Sequence, residues 1–219
     1  LSVVPYPSYG GYQSLSLSVL RRLACTNAFQ YGQLRASARL SDGSATGVTQ
    51  QSVAVSTTPS LLVIDTPSDA RWRLMPQVAG AAAVQVTFGG TQSATLTLTL
   101  SDERLTQSSL ALTVSGVSAG RGNTFDAQAG TERAGAVHAI FSDGTQLPDV
   151  LSASWLPLGA LATFSTTDAT AVIANATTGR VTLIANSVWR VTLSAESGCD
   201  SSVRGYLSVA ANLLPAVGD

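Results

Sequence analysis

Apolar and polar residues alternate with a period of two along much of this chain. Such alternation sends successive side chains to opposite faces of an extended backbone, so it predicts β-strands with one buried face. At most one turn of helix is expected, at 67–75. The alternating runs are SLSLSVL (14–20), AVQVTF (83–88), ATLTLTLS (94–101), SLALTVSG (109–116), RVTLIA (180–185) and WRVTLSAES (189–197).

Clusters of turn-forming residues separate the alternating runs. Gly, Asp, Asn and Ser accept the backbone angles that tight turns require. The spacing of the clusters is typical of antiparallel sandwiches, so the predicted fold class is all-β. The clusters are SYGGY (8–12), SDGS (41–44), SAGRGNT (118–124), SDGT (142–145) and ATTGR (176–180).

A Ser-Asp-Gly motif occurs twice, with Asp42 and Gly43 in the first copy and Asp143 and Gly144 in the second, 101 residues later. The residues QSLSLSV (13–19) also match SSLALTV (108–114) at an offset of 95. A loop insertion accounts for the unequal offsets, so a duplicated domain is predicted. Asp can bond the following backbone and Gly accepts positive φ, which favours structural turns over an active site.

The repeat divides the chain into modules. One module is predicted at 10–103 and a second at 104–219. Residues 1–9 are interpreted as the end of a preceding module, because Leu1-Ser2-Val3 resembles Leu207-Ser208-Val209 in the closing strand. The chain is therefore interpreted as a window on a longer array. Its first residues form no apolar core of a signal peptide.

The second copy contains an ordered series of short motifs. An Asp-Gly turn is followed by a Trp-bearing strand, an Ala-Val strand, a Gly turn and a closing Val-Thr strand. The residues are Asp143, Gly144, Trp155, Ala171, Val172, Gly179, Val181 and Val191. This series resembles the bacterial immunoglobulin-like group 2 family. The segment ANSVWR stands where that family has a Gly, and the first copy has Ala54 near the Trp position.

The resemblance implies tandem immunoglobulin-like β-sandwiches. It further implies an extracellular spacer, adhesion or structural module without chemistry of its own. Modules of this kind also occur in eukaryotic surface and membrane proteins.

Composition narrows the function. Charged residues make up 11% of the 219 residues and the net charge is −1, so a nucleic-acid partner is not expected. No run of eighteen apolar residues is present, so no membrane span is predicted within this stretch. All twelve basic residues are Arg, which suggests a GC-rich genome.

The three tryptophans have different predicted roles. Trp155 is predicted to fill the core between the two sheets. Trp72 and Trp189 are each flanked by Arg. The pattern suggests a cation–π contact, in which an arginine lies over the indole ring at a module edge. Both are therefore candidate contact aromatics.

The chain has two cysteines, one in each copy. Neither copy can hold a disulfide within its own sandwich. Cys25 and Cys199 form an inter-module disulfide, pair with cysteines outside this stretch, or stay free; sequence does not decide among the three. The sequon Asn175-Ala176-Thr177 lies at a turn and makes Asn175 a glycosylation candidate.

Candidate chemistry is sparse. The single histidine, His138, lies in an apolar strand and is interpreted as structural. We predict no catalytic residue, no cofactor and no metal ligand, and hence no enzyme. Calcium at the module junction stays an open alternative on Asp102, Glu103 and Asp200, although hard cations need more oxygens than these supply.

The leading hypothesis is a structural or adhesive rod in a larger extracellular or cell-surface protein. Its partners would be other modules of the same chain and other protein subunits. A surface filament of a eukaryotic microbe, such as the hairs of a flagellum, is one setting. The alternatives are a carbohydrate- or ligand-binding module that uses an exposed Trp, and the ectodomain of a membrane-anchored adhesion receptor.

Overall fold

A computed structural model of the chain describes residues 1–7, 15–68, 71–117, 122–153, 156 and 159–215. Trp155, the predicted core residue, lies outside the described residues. The chain divides into two compact units. Unit 1 comprises Leu1–Leu105 with Thr145–Leu147, and unit 2 comprises Thr106–Gly144 and Pro148–Asp219. Among the described residues the only helix is a short 3₁₀ turn, Thr49–Gln51, so the chain is all-β as predicted.

The described residues of Leu1–Leu105 in unit 1 form ten strands. Most of them carry the alternating pattern of buried and exposed side chains that the sequence predicts. The strands are β1 Ser2–Tyr6, β2 Val19–Leu23, β3 Tyr31–Arg35, β4 Ser37–Arg39, β5 Ala45–Gly47, β6 Ser52–Ser56, β7 Leu62–Asp65, β8 Arg73–Pro76, β9 Gly80–Phe88 and β10 Gln92–Leu105.

Two four-stranded sheets form the sandwich of unit 1. One has the strand order β1-β3-β8-β7 and the other β2-β10-β9-β6. All pairings in these two sheets are antiparallel except β2 with β10, which is parallel. The small hairpin β4–β5 carries the first Ser-Asp-Gly turn.

The core of unit 1 lies between the inner faces of its two sheets. Leu34 and Leu74 come from one sheet, and Val84, Leu98 and Leu100 come from the other. Each is a residue that the alternating pattern places inward, and burying such side chains supplies most of the drive to fold.

Unit 2 repeats this arrangement. Its strands are β11 Gln107–Val114, β12 Thr124–Ala127, β13 Glu132–Phe141, β15 Ala162–Thr166, β16 Val172–Ala174, β17 Arg180–Leu183, β18 Val191–Ser197 and β19 Arg204–Leu213. Strand β14, Gln146–Leu147, is counted with unit 1. The sheets of unit 2 have the orders β11-β13-β17-β16 and β12-β19-β18-β15, with β12 and β19 parallel.

The two units therefore have the same strand order. In each, the first sheet follows the A-B-E-D order of immunoglobulin domains and the second contains C, F and G, with one extra parallel strand beside G. Both units are immunoglobulin-like β-sandwiches. The duplication inferred from the Ser-Asp-Gly motifs thus corresponds to a duplicated fold.

The alignment of 13–19 with 108–114 is wrong. Strand β11 occupies the place in its sheet that β1 occupies in unit 1, and β2 begins only at Val19. Residues 15–18 form no strand, and 13–14 lie outside the described residues. The alternating pattern misled because Ser-Leu repeats mark a half-buried extended segment whether or not it pairs.

The assignment of residues 1–9 to a preceding module is also wrong for its described part, 1–7. Strand β1 pairs antiparallel with β3, with Val3 opposite Leu34, and Val3 belongs to the core of unit 1. A strand at either end of a sandwich has the same apolar pattern, so the pattern alone does not tell a first strand from a last one. The segment 67–75, expected to hold a helical turn, instead enters strand β8 at Arg73.

Candidate interaction surfaces

Both Ser-Asp-Gly motifs form tight turns. Gly43 and Gly144 have φ of +86° and +82°, which favour glycine. In the first turn the Asp42 carboxylate accepts hydrogen bonds from the backbone N–H and the hydroxyl of Ser44, at 2.8 and 2.6 Å. These bonds lower the pKa of Asp42. The motifs are therefore structural turns.

The same turn, closed by a carboxylate that accepts two hydrogen bonds, recurs at two sites that the sequence analysis did not connect. Asp168 accepts bonds from the N–H and hydroxyl of Thr170, and Asp200 does so from Ser202. In both cases the hydroxyl bond, followed by the backbone bond, lowers the pKa of the carboxyl group. The shared sequence signal is Asp-x-Ser/Thr.

Asn175 belongs to the same class of turn. Its side-chain oxygen accepts hydrogen bonds from the N–H groups of Thr177 and Thr178, at 3.1 and 3.0 Å. The residue is exposed, at the start of the turn that ends at Gly179. This geometry gives the Asn-x-Thr spacing a structural role, whether or not a glycan is attached.

Trp72 is not an exposed contact residue. It is 3% exposed and belongs to the core of unit 1, because it lies two residues before the buried Leu74 and so faces the same, inward side. Its neighbour Arg73 lies over the rings of Tyr6 and Tyr31, at 5.4 and 5.7 Å from their centroids, and pairs with Asp65. The use of Trp72 as a stacking surface is therefore corrected.

Trp189 is 82% exposed, and the preceding Val188 is 94% exposed. Both lie in the loop between β17 and β18. The next residue, Arg190, holds this loop to the body of unit 2 through hydrogen bonds to the carbonyl oxygens of Gly122 and Ser208, each at 2.6 Å. Trp189 remains a candidate contact aromatic.

Both cysteines are disulfide-bonded, and neither is a free thiol. Cys25 follows β2 and adopts a positive φ of 60°. Cys199 lies in the turn between β18 and β19, where its N–H donates to the hydroxyl of Ser197.

The acidic residues considered for calcium have other partners. Glu103 pairs with Arg21 at 2.9 Å, Asp102 pairs with Arg22, and Asp200 forms the turn described above. Within the described ranges, no cluster of three His, Cys, Asp or Glu residues is arranged to hold a metal ion. His138 lies on β13 with its Nε2 atom 3.1 Å from the hydroxyl of Thr113 on β11.

A polar cleft of about 500 Å³ lies on unit 1. Its lining residues are Gln33, Arg35, Thr49, Gln50, Thr66, Pro67, Ser68 and Arg71. The cleft is open to solvent, and its described lining offers arginine, amide and hydroxyl groups for binding.

The outer edge of β6 is an apolar surface that sequence reasoning did not single out. Val53 and Val55 are 62% and 57% exposed, whereas the equivalent strand of unit 2, β15, exposes Thr163 and Ser165. Within the part of the chain that the structure describes, β6 pairs with β9 alone. The sequence signal for this edge is the absence of charge from residue 43 to residue 64.

None of the described helices is long and apolar enough to cross a membrane.

Neither a protein-family model nor a curated protein matches the chain. Among solved structures, it is similar to domains 1–6 of the surface-layer protein SbsC, with 14% identity over 100% of this chain and a TM-score of 0.36. The chain spans 28% of the length of that structure.

The chain is also similar to two solved structures of other proteins. One is the C-terminal 282-residue fragment of intimin in complex with the intimin-binding domain of its translocated receptor, with 12% identity, 89% of this chain, 62% of that chain and a TM-score of 0.31. The other is mouse cadherin-23 EC22–24, with 13% identity, 97% of this chain, 67% of that chain and a TM-score of 0.29. At these values, function has to be argued from this chain's own residues.

Proposed function

We propose that this chain is a non-enzymatic tandem immunoglobulin-like segment, of the bacterial group 2 type, in a larger extracellular or cell-surface protein. The observation that carries the proposal is the disulfide-bonded state of both cysteines. Disulfides persist in oxidising compartments and are rare in the cytosol, where thiols are kept reduced. The chain's sparse charge and its Ser- and Thr-rich outer faces fit the same setting.

The segment acts as a rod that assembles through protein contacts. Cys25 and Cys199 are the chain's only cysteines, and we infer that they pair with each other rather than with cysteines outside this stretch. A single residue, Thr106, separates β10 from β11. A short connection and a cross-link both reduce the freedom between neighbouring domains. The proposed setting is a surface filament or coat, such as the hairs of a microbial flagellum.

Non-reducing peptide mapping and thiol counting of the unfolded native protein test the disulfide. One linked peptide containing Cys25 and Cys199 is expected, with no free thiol. The Cys25→Ser variant should release Cys199 as one free thiol, and Cys199→Ser should release Cys25. Two free thiols in the native protein, or links to cysteines of other chains, would contradict the Cys25–Cys199 disulfide.

The location has its own test. An antibody against this chain should label intact cells of the source organism as strongly as permeabilised cells. N-glycanase treatment of the native protein should convert Asn175 to Asp if the sequon is used. Labelling that requires permeabilisation would contradict a surface role.

A ligand-binding function is the second candidate, and the exposure of Trp189 is the observation that favours it. Aromatic rings stack on the apolar faces of sugars and on partner side chains. The test is a glycan-array screen with the intact chain and with Trp189→Ala. Binding that disappears in the variant supports this candidate, and an array with no binding leaves protein contacts as the function.

A further inference from the structure

We propose that β6 is a self-recognition edge, at which two copies of this chain pair antiparallel through Val53–Val55 into one continuous sheet. The inference rests on the proposed assembly through protein contacts, and it names the surface and the partner.

Among the described residues, the backbone of β6 has a strand partner on one side only. Thr57 N–H donates to the Ala83 carbonyl at 3.0 Å, and Thr57 lies opposite Ala83 in the register that β6 and β9 share. In an antiparallel ladder, hydrogen-bonded pairs alternate along the strand. Val55 and Val53 therefore bond to β9, while the N–H and C=O groups of Ala54 and Ser56 point to the open side.

The equivalent edge of unit 2 is occupied. Thr167 N–H donates to the Thr192 carbonyl at 3.0 Å, so the same alternation turns the backbone of Phe164 outward in β15. There, Phe164 N–H donates to the Ala176 carbonyl at 3.1 Å. Among the described residues, none offers Ala54 a bond of this kind. Within the residues that the structure describes, the same strand of the same fold is thus covered in one unit and uncovered in the other.

The sequence of the open strand is a palindrome, Ser-Val-Ala-Val-Ser. Across a two-fold axis, residue i of one copy contacts residue j of the other, and residue j of the first copy contacts residue i of the second. A symmetric interface therefore has to be complementary to itself. With the axis at Ala54, each Ala54 bonds its own copy; Ser52 is buried in its own unit and adds no bond to the pairing. Val53 then lies opposite Val55 of the second copy, as a closely spaced pair without backbone bonds.

The strand also lacks the usual protection against such pairing. Natural edge strands carry Lys or other charged residues, or a Pro, that stop a second chain from adding. No charged residue occurs from Gly43 to Ile64, and β6 contains no Pro. The outward side chains next to it on β9, the exposed Gln85 and the half-buried Thr87, are also uncharged. Two such edges can therefore approach without like-charge repulsion, and their valines leave water together.

Sedimentation of the full chain over a concentration series tests the proposal. We expect a monomer–dimer equilibrium with a dissociation constant of about 1–100 µM, typical of small interfaces. Ala54→Pro removes an outward N–H and no bond to β9, so it should keep the fold and weaken dimerisation at least about tenfold. Val53→Thr with Val55→Thr copies the polarity of β15 and should weaken it as well.

Cross-linking tests the register. A mixture of Val53→Cys and Val55→Cys chains should form disulfide dimers under mild oxidation, because position 53 lies opposite position 55. Each variant alone should do so at least about tenfold less, because identical positions lie on a diagonal. The matched control is Thr163→Cys with Ser165→Cys on β15, which should not cross-link.

The outcomes separate the two proposals. A wild-type chain that stays monomeric at about 100 µM, or a dimer that persists in folded Ala54→Pro and in the Thr double variant, overturns the β6 edge. Either result leaves the surface location and the Cys25–Cys199 link untouched, because those are measured separately. If Ala54→Pro fails to fold, the Thr double variant and the cross-linking register decide.

Discussion

Strands β6 and β15 hold the same place in two copies of one fold, yet they present different edges. Each pairs with the middle strand of its sheet, β9 or β18. Strand β15 buries Phe164 and exposes Thr163 and Ser165, whereas β6 has the smaller Ala54 facing the core and exposes two valines. The fold constrains what faces inward. The outward positions are free to differ, so specificity is expected there.

The largest effect is expected from the inward position of β15. Phe164 is 1% exposed, so Phe164→Ala should lower the free energy of unfolding of unit 2 by about 3–5 kcal/mol through lost contacts and a cavity. Urea unfolding with hydrogen exchange resolved by unit measures the loss. Thr163→Ala, on the outward face of the same strand, should change it by less than about 0.5 kcal/mol. Equal losses would contradict the inward and outward assignment.

The glycine turns sharpen the comparison at intermediate size. Gly43 and Gly144 have open space around them, so an added methyl group meets only the penalty of a positive φ. Gly43→Ala and Gly144→Ala should each lower the free energy of unfolding by about 1–2 kcal/mol, measured by urea unfolding.

Gly179 is different, because its φ is +68° and an added Cβ would lie 2.5 Å from the Gly135 carbonyl oxygen and 2.8 Å from Leu151 Cδ1. Gly179→Ala should therefore cost about 2–5 kcal/mol in unit 2, measured by urea unfolding. A cost no larger than that of Gly144→Ala would show that this close approach relaxes freely.

The smallest effect concerns acid. The pKa values of Asp42 in unit 1 and Asp168 in unit 2 are lowered by hydrogen bonds to the charged carboxylate. The hydroxyl bond has the larger effect and the backbone N–H bond the smaller. A lowered folded pKa adds stability above the unfolded pKa of about 3.9, and this stability disappears as the pH falls through the folded value.

Asn keeps the accepting oxygen but does not titrate. The urea midpoint should thus fall slightly less between pH 6 and pH 3 for Asp42→Asn and Asp168→Asn than for the wild-type chain, by similar amounts. A steeper fall in the variants would reverse the sign and contradict the turn geometry.

Much of the fold follows from local pattern. Inward residues such as Leu98, Leu100, Leu110 and Val114 are buried as the period of two predicts, because side chains on a strand alternate whatever the strand pairs with. The Ser-Asp-Gly turns follow from the bonding of Asp and the φ of Gly. The disulfide-bonded state of the cysteines removes one of the three alternatives that the sequence left open, the free thiols, since spacing does not fix connectivity.

Pairing partners did not follow from the pattern. The segment 15–18 has the strand pattern but forms no strand, and β1 belongs to unit 1. Strand pairing depends on which other segment offers free N–H and C=O groups, and the alternating pattern carries no information on that. Trp72 illustrates the same limit: flanking arginines suggested an edge, but the sandwich buries its ring.

The sequence by itself determined the all-β class, the duplication, the turns and the uncharged stretch from 43 to 64, because each arises from the chemistry of neighbouring residues. Only the tertiary structure decided which strands lie at edges and which edges are covered. A hydrogen bond such as that from Phe164 to Ala176 joins segments that the sequence keeps apart, and the lack of a counterpart at Ala54 among the described residues becomes visible only when the two sandwiches are compared.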